Sequence, residues 1–187
     1  MFSNVSASPA EIALTRAGDT MVRHADVVMD RAFTVDGRLD TVWPWLLQLG
    51  KRRAGWYLPW KIERVLPPSR RAARVINPAW QNLRVGDVIP DYGGRNETFE
   101  VVEISAPTTL VYQSRRGRTV LTWSITLEQL NSGNRVDRTR VLLRLRLAPV
   151  RHKLLAKTVG ELIDLLTVAG MAAGLRERSN DTASVTS

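Results

Sequence analysis

Between Thr98 and Leu147 the chain reads as four strands in succession, and Pro149 then opens one long helical segment. The strand-like runs cover 98–105, 109–115, 119–130 and 135–147. Their turns hold Ala106-Pro107, Gly117 and Ser132-Gly133-Asn134. Connections this short join antiparallel neighbours, so the four form a meander. In the third, Leu121, Trp123, Ile125 and Leu127 face one way while Thr122, Ser124, Thr126 and Glu128 face the other. In the fourth, Val141, Leu143, Leu145 and Leu147 oppose Arg140, Arg144 and Arg146. A sheet patterned like this is covered on one side and wet on the other.

The covering element is the last helix. Pro149 suits a first helical turn. Val159, Leu162, Ile163, Leu166, Gly170 and Ala173 make the main apolar stripe, and Leu165, Val168, Ala172 and Leu175 widen it. Such a segment is apolar around most of its circumference and belongs inside a fold. Gly160, Gly170 and Gly174 each weaken a helix by about 1 kcal/mol relative to alanine. Close packing, a kink or room for a ligand would offset that. The part held by the sheet is expected to run over roughly 159–176.

Before the meander the pattern is shorter and more broken. Residues 1–25 are polar and read as an N-terminal arm, with a turn of helix near Glu11 that Gly18-Asp19 stops. A strand over 27–35 ends at Asp36-Gly37, and a helix over 39–49 follows, carrying Val42, Trp45, Leu46 and Leu49 at helical spacing. Pro44 falls near the end of its first turn if Asp40 is the N-cap; otherwise the helix kinks there. A second short helix over 60–65 stops at Pro67-Pro68. The loop over 69–83 is long enough to be a lid or a binding element. Val85 to Pro90 opens a short strand, and 179–187 reads as a disordered polar tail.

Composition excludes several classes of chemistry. There is no cysteine, so thiol nucleophiles, disulfides and cysteine metal sites are absent, and His24 and His152 are too few for a histidine site. No catalytic serine elbow, phosphate-cradling glycine loop or metal-ligand spacing occurs. Neither a cofactor nor a metal is expected. The first residues lack a secretory pattern, and the longest apolar stretch, broken by Asp164, is shorter than the ~20 residues of a membrane span. The expectation is a cytoplasmic protein, with a homodimer possible. The 27 basic and 18 acidic residues give a net charge of +9. That balance permits an acidic partner, but no nucleic-acid-binding motif accompanies it. The arginines at 70, 71 and 74, at 115, 116 and 118, and at 140, 144 and 146 read as solvated surface, with phosphate or an acidic partner as the alternative.

Three of the six tryptophans lie between Val42 and Tyr57, around Pro44, Gly50 and Gly55. Rigid aromatics on a helix and a tight turn either fill a core or form the wall of an apolar pocket. The run Arg31-Ala-Phe-Thr-Val, Val42-Trp-Pro-Trp-Leu-Leu-Gln-Leu-Gly and Arg53-Ala-Gly-Trp-Tyr resembles the bacterial SRPBCC family, part of the START/helix-grip superfamily that includes polyketide cyclase and dehydrase-like proteins. Ile76-Asn-Pro-Ala-Trp through Val88-Ile-Pro, Phe99-Glu-Val-Val-Glu, Leu121-Thr-Trp-Ser-Ile-Thr-Leu-Glu and Glu161 to Arg178 are similar to later pieces of that family. The likeness covers about residues 9–179. It implies an α+β helix-grip fold over 26–178: a curved antiparallel sheet of about six or seven strands wrapped around the C-terminal helix, with two short helices after the first strand.

The resemblance also implies an apolar cavity that takes a small hydrophobic molecule such as a polyketide, a lipid or another polycyclic or acyl ligand. The expected wall draws Trp43, Trp56, Tyr57, Trp60 and Trp80 from the first half of the chain. The strands add Tyr92, Phe99, Tyr112 and Trp123, and the helix adds Leu166 and Gly170. Gln48 and Arg115 are the expected polar contacts; the alternative for Gln48 is a hydrogen bond to backbone at the helix end. A cyclase or dehydrase activity is the first alternative, with Asp91, Glu103 and Tyr112 as candidates to move a proton. Asp87, after Gly86, reads as a turn carboxylate. A basic adaptor on nucleic acid or an anionic membrane is the second alternative.

Overall fold

The computed structural model describes residues 4–130, 137–151 and 153–185, and within the last helix the side chains from Gly160 to Asp181. The elements are α1 (Pro9–Ala13), β1 (Val27–Asp36), α2 (Leu39–Gln48), α3 (Trp60–Glu63), β2 (Val88–Pro90), β3 (Thr98–Ser105), β4 (Thr109–Arg116), β5 (Thr119–Leu130), β6 (Arg138–Ala148) and α4 (Lys153–Val185). The expected turn at 132–134 and His152 lie outside the described residues. The strands form one open sheet in the order β1-β6-β5-β4-β3-β2, and every neighbouring pair is antiparallel. Helix α4 packs on the concave side of this curved sheet.

The alternation read from the sequence sets the register. Leu121 pairs with Leu147, Trp123 with Leu145, Ile125 with Leu143 and Leu127 with Val141, all on the concave face. Phe33 and Val35 of β1 join them, and Trp45 and Leu46 of α2 with Met171 and Leu175 of α4 complete the core. Helix α2 begins after Arg38, so Asp40 lies in its first turn and is not the N-cap, and Pro44 sits in the interior. Gly170 and Gly174 of α4 serve close packing. A Cβ on Gly174 would lie 2.6 Å from the backbone nitrogen of Leu58, and one on Gly170 would lie 2.8 Å from a Leu58 methyl.

The convex face departs from expectation. Thr122, Ser124 and Arg144 are buried there, because the N-terminal arm lies across it. Ala32 donates its backbone N–H to the carbonyl of Val5, and Ser6 bridges to Arg31 beside the outer edge of β1. Ser8 and Glu11 form a capping box that fixes α1. Arg140 pairs with Glu11 at 2.7 Å. Arg144 bonds Asp30 at 2.7 Å, Asp19 at 2.8 Å and the carbonyls of Ile12 and Leu14 at 2.6 and 2.8 Å. Arg146 donates to the carbonyl of Val22. The row Arg140, Arg144 and Arg146 is therefore a clamp on the arm and not a solvated face.

The C-terminal boundary also moves. Helix α4 continues through the residues expected to begin a disordered tail. Ser179 is buried and donates its hydroxyl to the carbonyl of Asp36 at 2.6 Å, and Asp181 pairs with Arg74 at 2.9 Å.

Candidate functional site

Between the concave face and α4 lies a cavity of about 410 Å³. Its aromatic wall is Trp56, Tyr92, Phe99 and Trp123; Leu121, Leu145 and Val168 add aliphatic surface. The rings are organised against one another. Trp56 and Trp123 stack with centroids 6.0 Å apart, and Tyr112 stacks behind Trp123 at 5.6 Å. Phe99 meets Trp123 at 6.1 Å, and Tyr92 meets Trp56 edge-on at 6.5 Å. The Trp56 indole N–H donates to the carbonyl of Thr167, which ties the turn after α2 to α4. Tyr92 keeps about half its surface in solvent.

Charged groups stand at the same cavity. Arg116 pairs with Asp91, lies 3.7 Å from Glu97 and holds its guanidinium 5.8 Å from the centre of the Phe99 ring. The carbonyl of Asp91 accepts from Lys51 at 2.9 Å. On α4, Asp164 faces the cavity and pairs with Arg31 of β1 at 2.9 Å. Burial pushes the Asp164 carboxyl above the usual carboxylate range, while the Arg31 guanidinium pulls it down. Burial also pushes the Tyr112 phenol up. Tyr112 lines a smaller crevice that adjoins the cavity and shares Trp56, Asp91 and Trp123 with it. No group of three or more metal-ligating side chains occurs among the described residues.

The expected site residues divide. Trp56, Tyr92, Phe99 and Trp123 meet at the cavity, with Asp91 beside them and Tyr112 behind. Trp43 packs in the core, and Trp80 packs against it. Tyr57 is fully buried, donating its hydroxyl to the carbonyl of Trp45. Gln48 is fully buried too, and it holds the 69–83 loop. Its amide donates to the carbonyl of Val75, and its oxygen accepts from the N–H of Asn77. Trp60 is exposed near the other end of α4, against Arg71 and Arg74. Leu166 faces solvent, and Gly170 is covered by Leu58.

Strand parity explains the remaining two. Tyr112, Ser114 and Arg116 share the concave face of β4, so Arg115 points away and is exposed. In β3 the register shifts between Val101 and Glu103. Val101 pairs with Tyr112, but Glu103 pairs with Val111, which faces the arm. The irregularity turns Glu103 to the convex face and removes it from the cavity. Asp87 is the expected turn carboxylate, accepting from the N–H of Arg84 at 2.8 Å.

The sequence does not single out Arg116, Asp164 and Thr167, nor the aliphatic Leu121, Leu145 and Val168, as cavity residues. Arg116 was legible from its two-residue steps from Tyr112. Asp164 was legible as the one charge that interrupts the apolar stripe.

No protein-family model matches the sequence, and a search of curated proteins returned no match. Solved structures do match. The hypothetical protein jhp0584 from Helicobacter pylori superposes with a TM-score of 0.54 at 16% identity, over 93% of this chain and 98% of that one. A norcoclaurine synthase point mutant from Thalictrum flavumn has a TM-score of 0.45 at 14% identity, over 84% and 96%. The Polyketide_cyc-like protein Cgl2372 from Corynebacterium glutamicum has 0.36 at 11%, over 82% and 87%. Identities this low speak to fold and not to activity. No helix among the described residues is long and apolar enough to cross a membrane. With six antiparallel strands in this order curved around a long C-terminal helix, the chain has a helix-grip fold.

Proposed function

We propose that the protein binds a small hydrophobic molecule, flat enough to lie along an aromatic wall, in the cavity between β3–β6 and α4. The polyketide, lipid and other polycyclic or acyl classes fit this description. The observation that carries the reading is the Trp56, Trp123, Tyr112 and Phe99 assembly, with Trp56 and Trp123 both lining a space of about 410 Å³. That volume lies within the range of about 300–1,000 Å³ usual for small-molecule sites. In this reading the protein works in the cytoplasm without metal or cofactor.

The test is titration with apolar fluorescent probes while tryptophan emission is recorded. Micromolar binding with quenching is expected, and Trp123→Ala should weaken it at least tenfold. Unchanged emission across a range of probes would overturn the proposal. Native mass spectrometry of protein from its own host identifies any molecule that co-purifies.

A cyclase or dehydrase-type activity is favoured by one observation: Asp164 faces the cavity, and burial favours its protonated form. A carboxyl poised in this way can pass a proton to or from a bound carbonyl compound. Asp164→Asn should abolish turnover and leave ligand affinity nearly intact. Full turnover in that variant removes Asp164 from the chemistry.

A further inference from the structure

A second surface lies apart from the cavity, at the corner formed by α3 and the turn after it. Of residues 60–71, only Glu63 is buried and only Leu66 is half-buried. Glu63 points inward to Arg178, which leaves the rest of the turn facing out. Three large apolar side chains stand in solvent there: Trp60 at 46%, Ile62 at 41% and Val65 at 76% exposed. The same segment carries four exposed cations: Lys61, Arg64, Arg70 and Arg71. None of the four pairs with a carboxylate among the described residues. The acidic groups nearest this corner are already engaged, since Glu63 binds Arg178 and both Glu177 and Asp181 bind Arg74. Arg71 folds the segment into one unit. It donates to the carbonyls of Arg64 and Leu66, each at 3.0 Å, and lies 5.9 Å from the centre of the Trp60 ring.

We propose that this corner docks on an anionic lipid bilayer, with Ile62, Val65 and the edge of Trp60 entering the headgroup boundary and the four cations meeting lipid phosphates and carboxylates. Exposed apolar side chains interspersed with lysine and arginine are complementary to such an interface, where attraction to negative lipid adds to burial of apolar surface. The same charge would attract nucleic acid, but the geometry disfavours it. Arg71 and Arg74 lie over the Trp60 ring, at 5.9 and 5.6 Å, and compete with any base for its faces. A duplex groove offers Ile62 and Val65 little apolar surface beyond thymine methyls.

The test is sedimentation of the full chain with vesicles of phosphatidylcholine alone, or of phosphatidylcholine with about 30% phosphatidylserine, at about 0.1 M salt. Wild type should bind the mixed vesicles at least tenfold more tightly than the neutral ones. Two variants then separate the contributions: the charge variant Lys61→Glu, Arg64→Glu, Arg70→Glu and the apolar variant Ile62→Ser, Val65→Ser. Each should lose at least fivefold in affinity for the mixed vesicles. All the altered side chains are exposed, so circular dichroism and probe binding in the cavity should be unchanged, and this separates failure here from failure of the cavity reading. No binding of wild type to mixed vesicles overturns the proposal. So does full binding by the serine variant, which would leave only a charge effect. Binding to a generic DNA duplex as tight as to mixed vesicles would assign the corner to nucleic acid instead.

Discussion

Arg178 and Glu63 meet at 2.7 Å with neither side chain exposed. The guanidinium also lies 4.6 Å from the centre of the Tyr57 ring and donates to the carbonyls of Ala73, Leu58 and Gly174. One arginine near the end of α4 thus holds the chain between α2 and β2 against the helix. That chain carries Trp56 into the cavity wall and, a few residues on, the exposed cations from Lys61 to Arg71.

Removing one partner of a buried pair leaves the other charge without compensation, at a cost of about 3–5 kcal/mol. Glu63→Ala should lower unfolding stability by that amount in urea. The double replacement Glu63→Leu with Arg178→Met removes both charges but leaves the carbonyls of Ala73, Leu58 and Gly174 without that donor, and should recover only part of the loss. A single variant within about 1 kcal/mol of wild type would mean that the pair is not desolvated.

Two glycines of α4 should respond oppositely to alanine. At Gly174 the new Cβ would meet the Leu58 backbone at 2.6 Å, which cannot yield without moving the 55–58 segment. Gly174→Ala should cost at least about 1–3 kcal/mol. At Gly160 the new atom would meet only the terminal methyl of Met29 at 3.1 Å, the end of a flexible side chain. Gly160→Ala should be neutral or gain up to about 1 kcal/mol from helix propensity. Thermal melts of the two variants decide it.

The arm should loosen in acid. A hydrogen bond from Arg140 holds the Glu11 carboxyl down, from 4.5 to about 2, against the opposing effect of burial. A carboxylate whose pKa is depressed on folding contributes stability above its unfolded value, and that stability is lost as pH falls toward the folded value. The contribution is therefore full above about pH 4.5 and disappears toward about pH 2. Glu11→Gln should be less stable at neutral pH and should show a flatter stability profile across that window. Parallel profiles for the two proteins would mean that the Arg140 contact does not form.

Asp164 should make the cavity sensitive to pH in the opposite sense. Its raised pKa means that it takes up a proton above the usual carboxylate range as pH falls, and the wall then loses a negative charge. An anionic apolar probe should bind more tightly as pH drops from about 8 toward about 4. In Asp164→Asn the affinity should start higher and change little. A wild-type profile as flat as the variant's would show that Asp164 does not face the probe.

The sequence by itself determined the order of the main elements and the buried face of β5 and β6. Period-two alternation at Leu121–Leu127 and Val141–Leu147 admits only one covered side. It also determined the long apolar helix that covers that side, and the aromatic character of Phe99, Tyr112 and Trp123. These are local signals, carried by spacing along one segment. The tertiary structure decided what spacing cannot carry. The shift after Val101 sends Glu103 to the convex face, while Arg116, two steps beyond Ser114, turns inward to Asp91. Gln48 and Arg144 look alike in sequence to ligand contacts and solvated surface, yet both are consumed by backbone carbonyls far along the chain. Which tryptophans fill the core and which line a cavity depends on where α4 leaves space above the sheet. Leu58 closes that space at Gly170 and Gly174, and it stays open over Trp56 and Trp123.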